Sequence, residues 1–324
     1  PIRNIVYNNI PGLLTGFGPG EHTDLAIDSA GGFHVIMTVP LSSPATGNGV
    51  VYAYSPAGAA NNWTYSTVVN YTGDNNSPSY VSLELDSANK PHIFLLQRNI
   101  GSAGGPPWTA RNFTARHFSS TNGTTWTMEE IYNQNGGSGT SVNEIAEIAT
   151  TMDSNDKIHM LLSVENTGNN MRNITYATNA SGSWVNTVIV PTSTTTQTHD
   201  IDLVVDSNNK VHALYSPITD RVVHYLTNRS GSWVDTTINS GAVTGRLGAT
   251  SKRGLSINSA NDLFFVYNSS PTSSNAGNVS YGFLPAATGN TWQTGSVMKG
   301  NMRTADTITT TITSPAASSR QAIA

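Results

Sequence analysis

The chain has no cysteine, which removes a disulfide framework and thiolate metal sites from consideration. Charge is scarce too: 11% of the 324 residues are charged, Lys occurs five times, and the net charge is −4. So few cations build no basic stripe, and no nucleic-acid partner is expected. No apolar run reaches the length of a helical membrane span, so no membrane insertion is expected. Neither a charged nor an apolar leader follows Pro1, so any signal peptide is expected to have been removed already or never to have existed. Nucleophile elbows, His-Glu-x-x-His and Walker sequences are missing, and the glycine-rich turn Gly16–Gly20 lacks a strand-to-helix context.

In place of charge there is Asn, Ser, Thr and Gly. Ten Asn-x-Ser/Thr sequons, among them Asn62, Asn112, Asn179 and Asn228, are close to what 34 Asn in such a chain produce by chance. The composition leads us to expect an extracellular or cell-surface protein.

A repeat dominates what is present. The segment from Asp200 to Ile238 reads as four short strands, by period-2 alternation between polar turns. Its first turn recurs at Asp28-Ser29, Asp86-Ser87, Asp153-Ser154 and Asp206-Ser207, and in altered form at Asn258-Ser259. His34, His92, His159 and His212 open the second strands, with Phe264 in the fifth copy. Third strands carry Tyr52, Tyr176, Tyr225 and Tyr281, and a later turn delivers Trp63, Trp126, Trp184, Trp233 and Trp292.

Four strands per unit of this length suits a β-propeller blade. The expected fold is all-β: a single domain over 1–324, a six-bladed β-propeller of four-stranded antiparallel blades. Repeats run approximately 21–72, 77–135, 144–192, 198–240 and 249–298, and the closing blade is shared by the N- and C-termini (304–324 plus 1–20). Residues 3–9, RNIVYNN, match the third-strand segment RNITYAT at 172–178, so Ile2–Asn8 is expected to pair with C-terminal strands. Closure would remove exposed sheet edges. Five blades with ordered tails is the alternative.

The recurring Asp-Ser turn, the His and the Ser-Gly-x-Trp turn together resemble the repeats of secreted microbial β-propellers of the sialidase-like superfamily. Ser119-Ser120-Thr121-Asn122-Gly123-Thr124-Thr125-Trp126 resembles that superfamily's Asp-box, with Thr121 where the family has Asp. The resemblance implies fold rather than activity. The Phe/Tyr-Arg-Ile-Pro stretch of working sialidases is absent.

The repeated His residues are expected to be buried and locally bonded, and the repeated Trp residues to pack in the core or at blade edges. Positions that break the repeat are the functional candidates. Six residues before each turn stand His22, Tyr80, Glu147, Asp200 and Lys252, and Asp24, His199 and Asp202 add to an acidic, imidazole-bearing set. In a propeller these first strands line the channel. His22, Asp24, Glu147, His199, Asp200 and Asp202 are therefore weak candidates for a divalent cation or for acid–base work. A solvated acidic rim is the preferred competing reading, and no other cofactor is expected.

The second candidate is the insertion Arg98–Asn112, which makes one interval longer than the others. Trp108 stands outside the repeated Trp position, stiffened by Pro106-Pro107 and flanked by Arg98 and Arg111, a set suited to stacking on a sugar or an aromatic partner. The competing reading folds Trp108 onto its own blade.

The expected function is a binding or structural module that recognises glycans or partner proteins through loops on one face. Two alternatives stay open. One is a glycoside hydrolase or lyase using channel-mouth carboxylates. The other is a self-assembling repeating subunit of an extracellular filament, sheath or virion.

Overall fold

The computed structural model describes residues 22–40, 47–59, 62–72, 76–100, 111–135, 145–165, 172–191, 198–217, 222–238, 244–246, 254–270, 277–289 and 291–302. The chain divides into two compact units, 1–145 and 146–324.

The first unit holds two sheets. Sheet 1 is β1 (Thr23–Ile27), β2 (Phe33–Pro40), β3 (Gly47–Ser55) and β4 (Thr64–Thr72); sheet 2 is β5 (Asn76–Leu85), β6 (Pro91–Ile100), β7 (Arg111–Ser119) and β8 (Thr127–Asn135). The second unit holds three. Sheet 3 is β9 (Ile145–Met152), β10 (Ile158–Glu165), β11 (Arg172–Thr178) and β12 (Val185–Val190). Sheet 4 is β13 (Thr198–Val205), β14 (Val211–Pro217), β15 (His224–Thr227) and β16 (Val234–Thr237). Sheet 5 contains β17 (Thr244–Arg246), β18 (Leu255–Ile257), β19 (Leu263–Ser270), β20 (Gly277–Leu284) and β21 (Gln293–Met302), with β17 and β18 both pairing to β19. All neighbours are antiparallel and follow chain order.

The described residues thus form five sheets, where the repeat count had led us to expect six blades. Five copies are complete in the sequence. The segments assigned to a sixth, including Ile2–Asn8, lie outside the described residues.

The first hairpin of every sheet turns on one acceptor. Asp28 Oδ1 takes the N–H of Ala30 at 2.9 Å and of Gly32 at 2.7 Å. Asp86, Asp153, Asp206 and Asn258 repeat the pattern at 2.7–3.0 Å. A left-handed residue closes each turn: Gly31, Asn89, Asp156, Asn209 and Asn261, with φ between 58° and 89°. Asn and Asp tolerate that region because their short polar side chains bond locally.

Three of these Asn side chains also reach the preceding sheet. Asn89 Nδ2 donates to Ser29 Oγ at 2.8 Å and Asn261 Nδ2 to Ser207 Oγ at 2.8 Å, while Ser154 Oγ donates to Asn209 Oδ1 at 2.8 Å.

Apolar burial joins the sheets within each unit. Ile36, Val50 and Tyr52 of sheet 1 share a core with Val81, Leu83, Ile93 and Leu95 of sheet 2. Leu161 and Ile174 meet Leu203 and Ala213, and Leu214 and Tyr225 meet Leu263 and Phe265. The repeated Trp packs edge-on against the preceding sheet's Tyr: Trp126 on Tyr52 at 5.3 Å, Trp233 on Tyr176 at 5.0 Å, Trp292 on Tyr225 at 5.2 Å. Such pairs contribute about 0.5–1.5 kcal/mol beyond area burial.

Candidate functional site

The repeated His is a structural joint. In sheets 1, 3 and 4 its Nε2 lies 3.2–3.3 Å from the turn Asp, Asp28, Asp153 or Asp206. Its Nδ1 meets the hydroxyl of Tyr52, Tyr176 or Tyr225 at 2.5–2.6 Å. Burial lowers the pKa of His34, His159 and His212, and the Asp only partly offsets it. The neutral imidazole then donates Nε2–H to the carboxylate and accepts the phenol O–H at Nδ1. Burial correspondingly pushes Tyr176 and Tyr225 up to about 12. For Asp28 burial pushes upward, but the Gly32 N–H, His34 and the Ala30 N–H outweigh it and the net shift is downward.

Sheet 2 departs from this pattern. Its third strand places His117 at the Tyr position, so His92 Nδ1 meets His117 Nε2 at 2.9 Å, and His117 Nδ1 meets Glu129 Oε2 at 3.1 Å. His92 is half-buried, not buried as expected, and its Nε2 stands 3.7 Å from Asp86. Burial and His92 hold His117 at about 4. In sheet 5 Phe264 replaces the His, and Tyr281 is 40% exposed.

The acidic candidates bond backbone amides of the following sheet. Asp24 Oδ2 accepts Leu83 N–H at 2.8 Å, Asp202 Oδ2 accepts Leu255 N–H at 2.9 Å, and Glu147 Oε2 accepts Ile201 N–H at 3.3 Å. The structure thus brings Glu147 of β9 beside the β13 segment that carries Asp202. His22 stacks on Tyr80 at 5.4 Å. His199 and Asp200 lie in β13, with His199 opposite Ser216. Among the described residues no group of three or more His, Asp or Glu is arranged to hold a metal ion.

Trp108 lies outside the described residues. Arg98 of β6 and Arg111 of β7 end two rungs apart at the hairpin below the insertion, in the pairs Arg98↔Phe113 and Ile100↔Arg111.

One constellation escaped the sequence reading. Across three strands of sheet 4, buried Tyr215 donates its hydroxyl to Asp235 Oδ2 at 2.6 Å, and His224 Nδ1 meets Asp235 Oδ1 at 3.1 Å. The His224 imidazole stacks on Tyr215 at 4.6 Å. The carboxylate fixes the tautomer with Nδ1–H and leaves Nε2 as the basic nitrogen, the arrangement of an oriented general base. Met37, Leu95 and Leu162 occupy the Tyr215 position in sheets 1 to 3 but Tyr267 occupies it in sheet 5, so the column alone does not set Tyr215 apart; the register that brings His224 and Asp235 to it does. Tyr215 and His224 sit at the end of sheet 4 away from the Asp206 turn, the same end as His199 and Asp200.

Sequence comparison with family models and with curated proteins finds no match. Solved structures do match. A polysaccharide lyase of family PL25, an ulvan lyase bound to -[GlcA(1-4)Rha3S]-, is 11% identical with a TM-score of 0.56, over 86% of this chain and 70% of that one. A protein of unknown function from Dyadobacter fermentans is 9% identical with a TM-score of 0.54, over 86% and 82%. The polysaccharide lyase Uly1 is 11% identical with a TM-score of 0.52, over 81% of this chain and 57% of that one. The likeness is to propeller-type structures. The fold is a β-propeller.

Proposed function

We propose that this propeller is a carbohydrate-recognition protein that engages a polysaccharide through the loop-bearing ends of its sheets, away from the Asp turns. The observation carrying this reading is that the strand register puts Tyr215 and His224, and the backbone positions of His199 and Asp200, at that end of sheet 4, in a fold it shares with polysaccharide lyases. Polar groups that a repeat does not need, placed where blades carry their longest loops, are what a binding face requires. The proposal includes the finer features expected from sequence: degenerate Asp-box ancestry, a sixth blade closed by the termini, and an extracellular or cell-surface setting. A glycan array probed with the purified chain tests it. Binding to a defined set of polysaccharides, weakened by His224→Ala, is expected; an array with no signal sinks it.

A second reading is favoured by the Tyr215–Asp235–His224 geometry: a lyase or hydrolase in which His224 exchanges the proton. Incubation with polysaccharides, followed by ultraviolet absorbance for unsaturated uronates and by reducing-sugar release, separates catalysis from binding. Product from the wild type and none from Asp235→Asn supports the enzyme, and no product from either excludes it for those substrates.

A further inference from the structure

Between sheets 1 and 2 a guanidinium has no carboxylate partner among the described residues. Arg116 of β7 is half-buried, and its Nε is buried without a hydrogen-bond acceptor. No ion pair to Arg116 occurs among the described residues. Glu130, opposite it in β8, is exposed and accepts from Asn133 Nδ2 at 3.2 Å. In sheet 3 Arg172, which is more deeply buried, has Glu165 Oε2 3.7 Å from its Nε. A buried N–H with no acceptor is costly and needs an explanation.

Two buried polar side chains accompany it. Tyr71 of β4 is 6% exposed and Gln97 of β6 is 7% exposed; the Tyr71 hydroxyl and Gln97 Oε1 are both buried without a hydrogen-bond partner. The pairs Leu95↔Arg116 and Gln97↔Thr114 put Gln97 diagonal to Arg116 on the face that carries Leu95 toward sheet 1. Burial raises the Tyr71 pKa, and the Arg116 charge and the approach of its side chain to the phenol oppose that rise without reversing it. Tyr71 shares a buried cluster with Leu95, the cross-strand partner of Arg116, so the phenol and the guanidinium border the same space between the sheets.

We propose that Arg116, Tyr71 and Gln97 form a seat for an anionic substituent, a carboxylate or sulfate ester, carried by a hydroxylated ligand. The Nε–H and phenol O–H donate to the anionic oxygens, the charge-assisted bond being the stronger. Gln97 Oε1 accepts from a neighbouring hydroxyl. Read with the carbohydrate proposal, on which the identity of the ligand rests, this makes the ligand an acidic glycan built from uronate or sulfated units.

The test is calorimetric binding and thermal-shift measurement with glucuronate, a sulfated monosaccharide, inorganic sulfate and neutral glucose at constant ionic strength. The wild type is expected to bind one or both acidic sugars and to ignore glucose, and the stronger of the two names the substituent. Arg116→Gln should weaken that binding about tenfold or more, the effect of losing a charge-assisted bond. Tyr71→Phe, which removes a single oxygen, should weaken it measurably. Should Arg116→Gln fail to fold, Tyr71→Phe decides. Equal binding of glucuronate, sulfated sugar and glucose overturns the proposal, as does binding that both variants leave unchanged. Inorganic sulfate binding as tightly as the sulfated sugar overturns the role given to Gln97. Inorganic sulfate binding that Arg116→Gln weakens, with an empty glycan array and no response to any sugar, would sink the carbohydrate-recognition reading alone; array binding to neutral glycans independent of Arg116 would sink this site alone.

Discussion

Phe265 occupies the space above Gly282, its partner across β19 and β20: a Cβ on Gly282 would stand 1.9 Å from the Phe265 ring. Trp292 then packs edge-on against the same ring at 5.2 Å. Gly282→Ala should destabilise the protein by about 1–3 kcal/mol, the usual cost of overpacking. An unchanged urea midpoint would show that Phe265 has room to retreat.

Asn209 does two things at once, holding φ at 58° and accepting the Ser154 hydroxyl. Asn209→Gly keeps the backbone conformation and loses the bond, for about 0.5–1 kcal/mol. Asn209→Ala loses both and should cost about 1–2 kcal/mol more. The order Asn, Gly, Ala in unfolding midpoint is the expected outcome. If Gly matches or exceeds Asn, the link to Ser154 contributes nothing.

Tyr176→Phe leaves His159 Nδ1 buried without its donor and should cost about 1–3 kcal/mol. Tyr281 occupies the same repeat position in sheet 5, where no His awaits it, so Tyr281→Phe should stay within about 0.5 kcal/mol of wild type. Equal losses in the two variants would remove the His from the explanation.

Acid should loosen the fold. His34, His159 and His212 lie below their ordinary 6.5 because burial disfavours the charged form. The unfolded chain therefore binds more protons than the folded one once the pH falls below about 6.5. Stability is complete above that value and is lost toward the folded pKa values, by about 1.4 kcal/mol per pH unit for each histidine that takes up a proton. His117, held at about 4, contributes in the same direction. Denaturant midpoints at pH 7.5, 6 and 5 check the sign, and a rise toward acid would contradict it.

The repeat was legible because its parts are local. Asp28 and His34 stand six residues apart, and so do Asp206 and His212, and the structure joins each pair. The third member was harder to see. Tyr52 and Tyr225 belong to another strand, and only the register brings them to the imidazole. The acidic residues exposed a different limit. Asp24 and Asp202 read as ligands or rim, yet they answer backbone amides about fifty to sixty residues onward, a role that depends on sheet-to-sheet docking and leaves no spacing signal. Tyr215, His224 and Asp235 meet across three strands, and Gln97 comes diagonal to Arg116 only through the register of β6 and β7. Neither set has a motif.

Asp24, Glu147 and Asp202 join sheets in one direction along the chain. Asp24 precedes the Leu83 amide it accepts, Glu147 precedes Ile201, and Asp202 precedes Leu255. A chain emerging from the ribosome completes the acceptor before it makes the donor, so each such sheet is a ready template for the first strand of its successor. Vectorial synthesis then sets the stagger between sheets without a search. A ribosome-stalled chain ending at Asn135 should already protect the Leu83 amide from hydrogen exchange, and a rapidly exchanging amide there would show that docking waits for the rest of the chain.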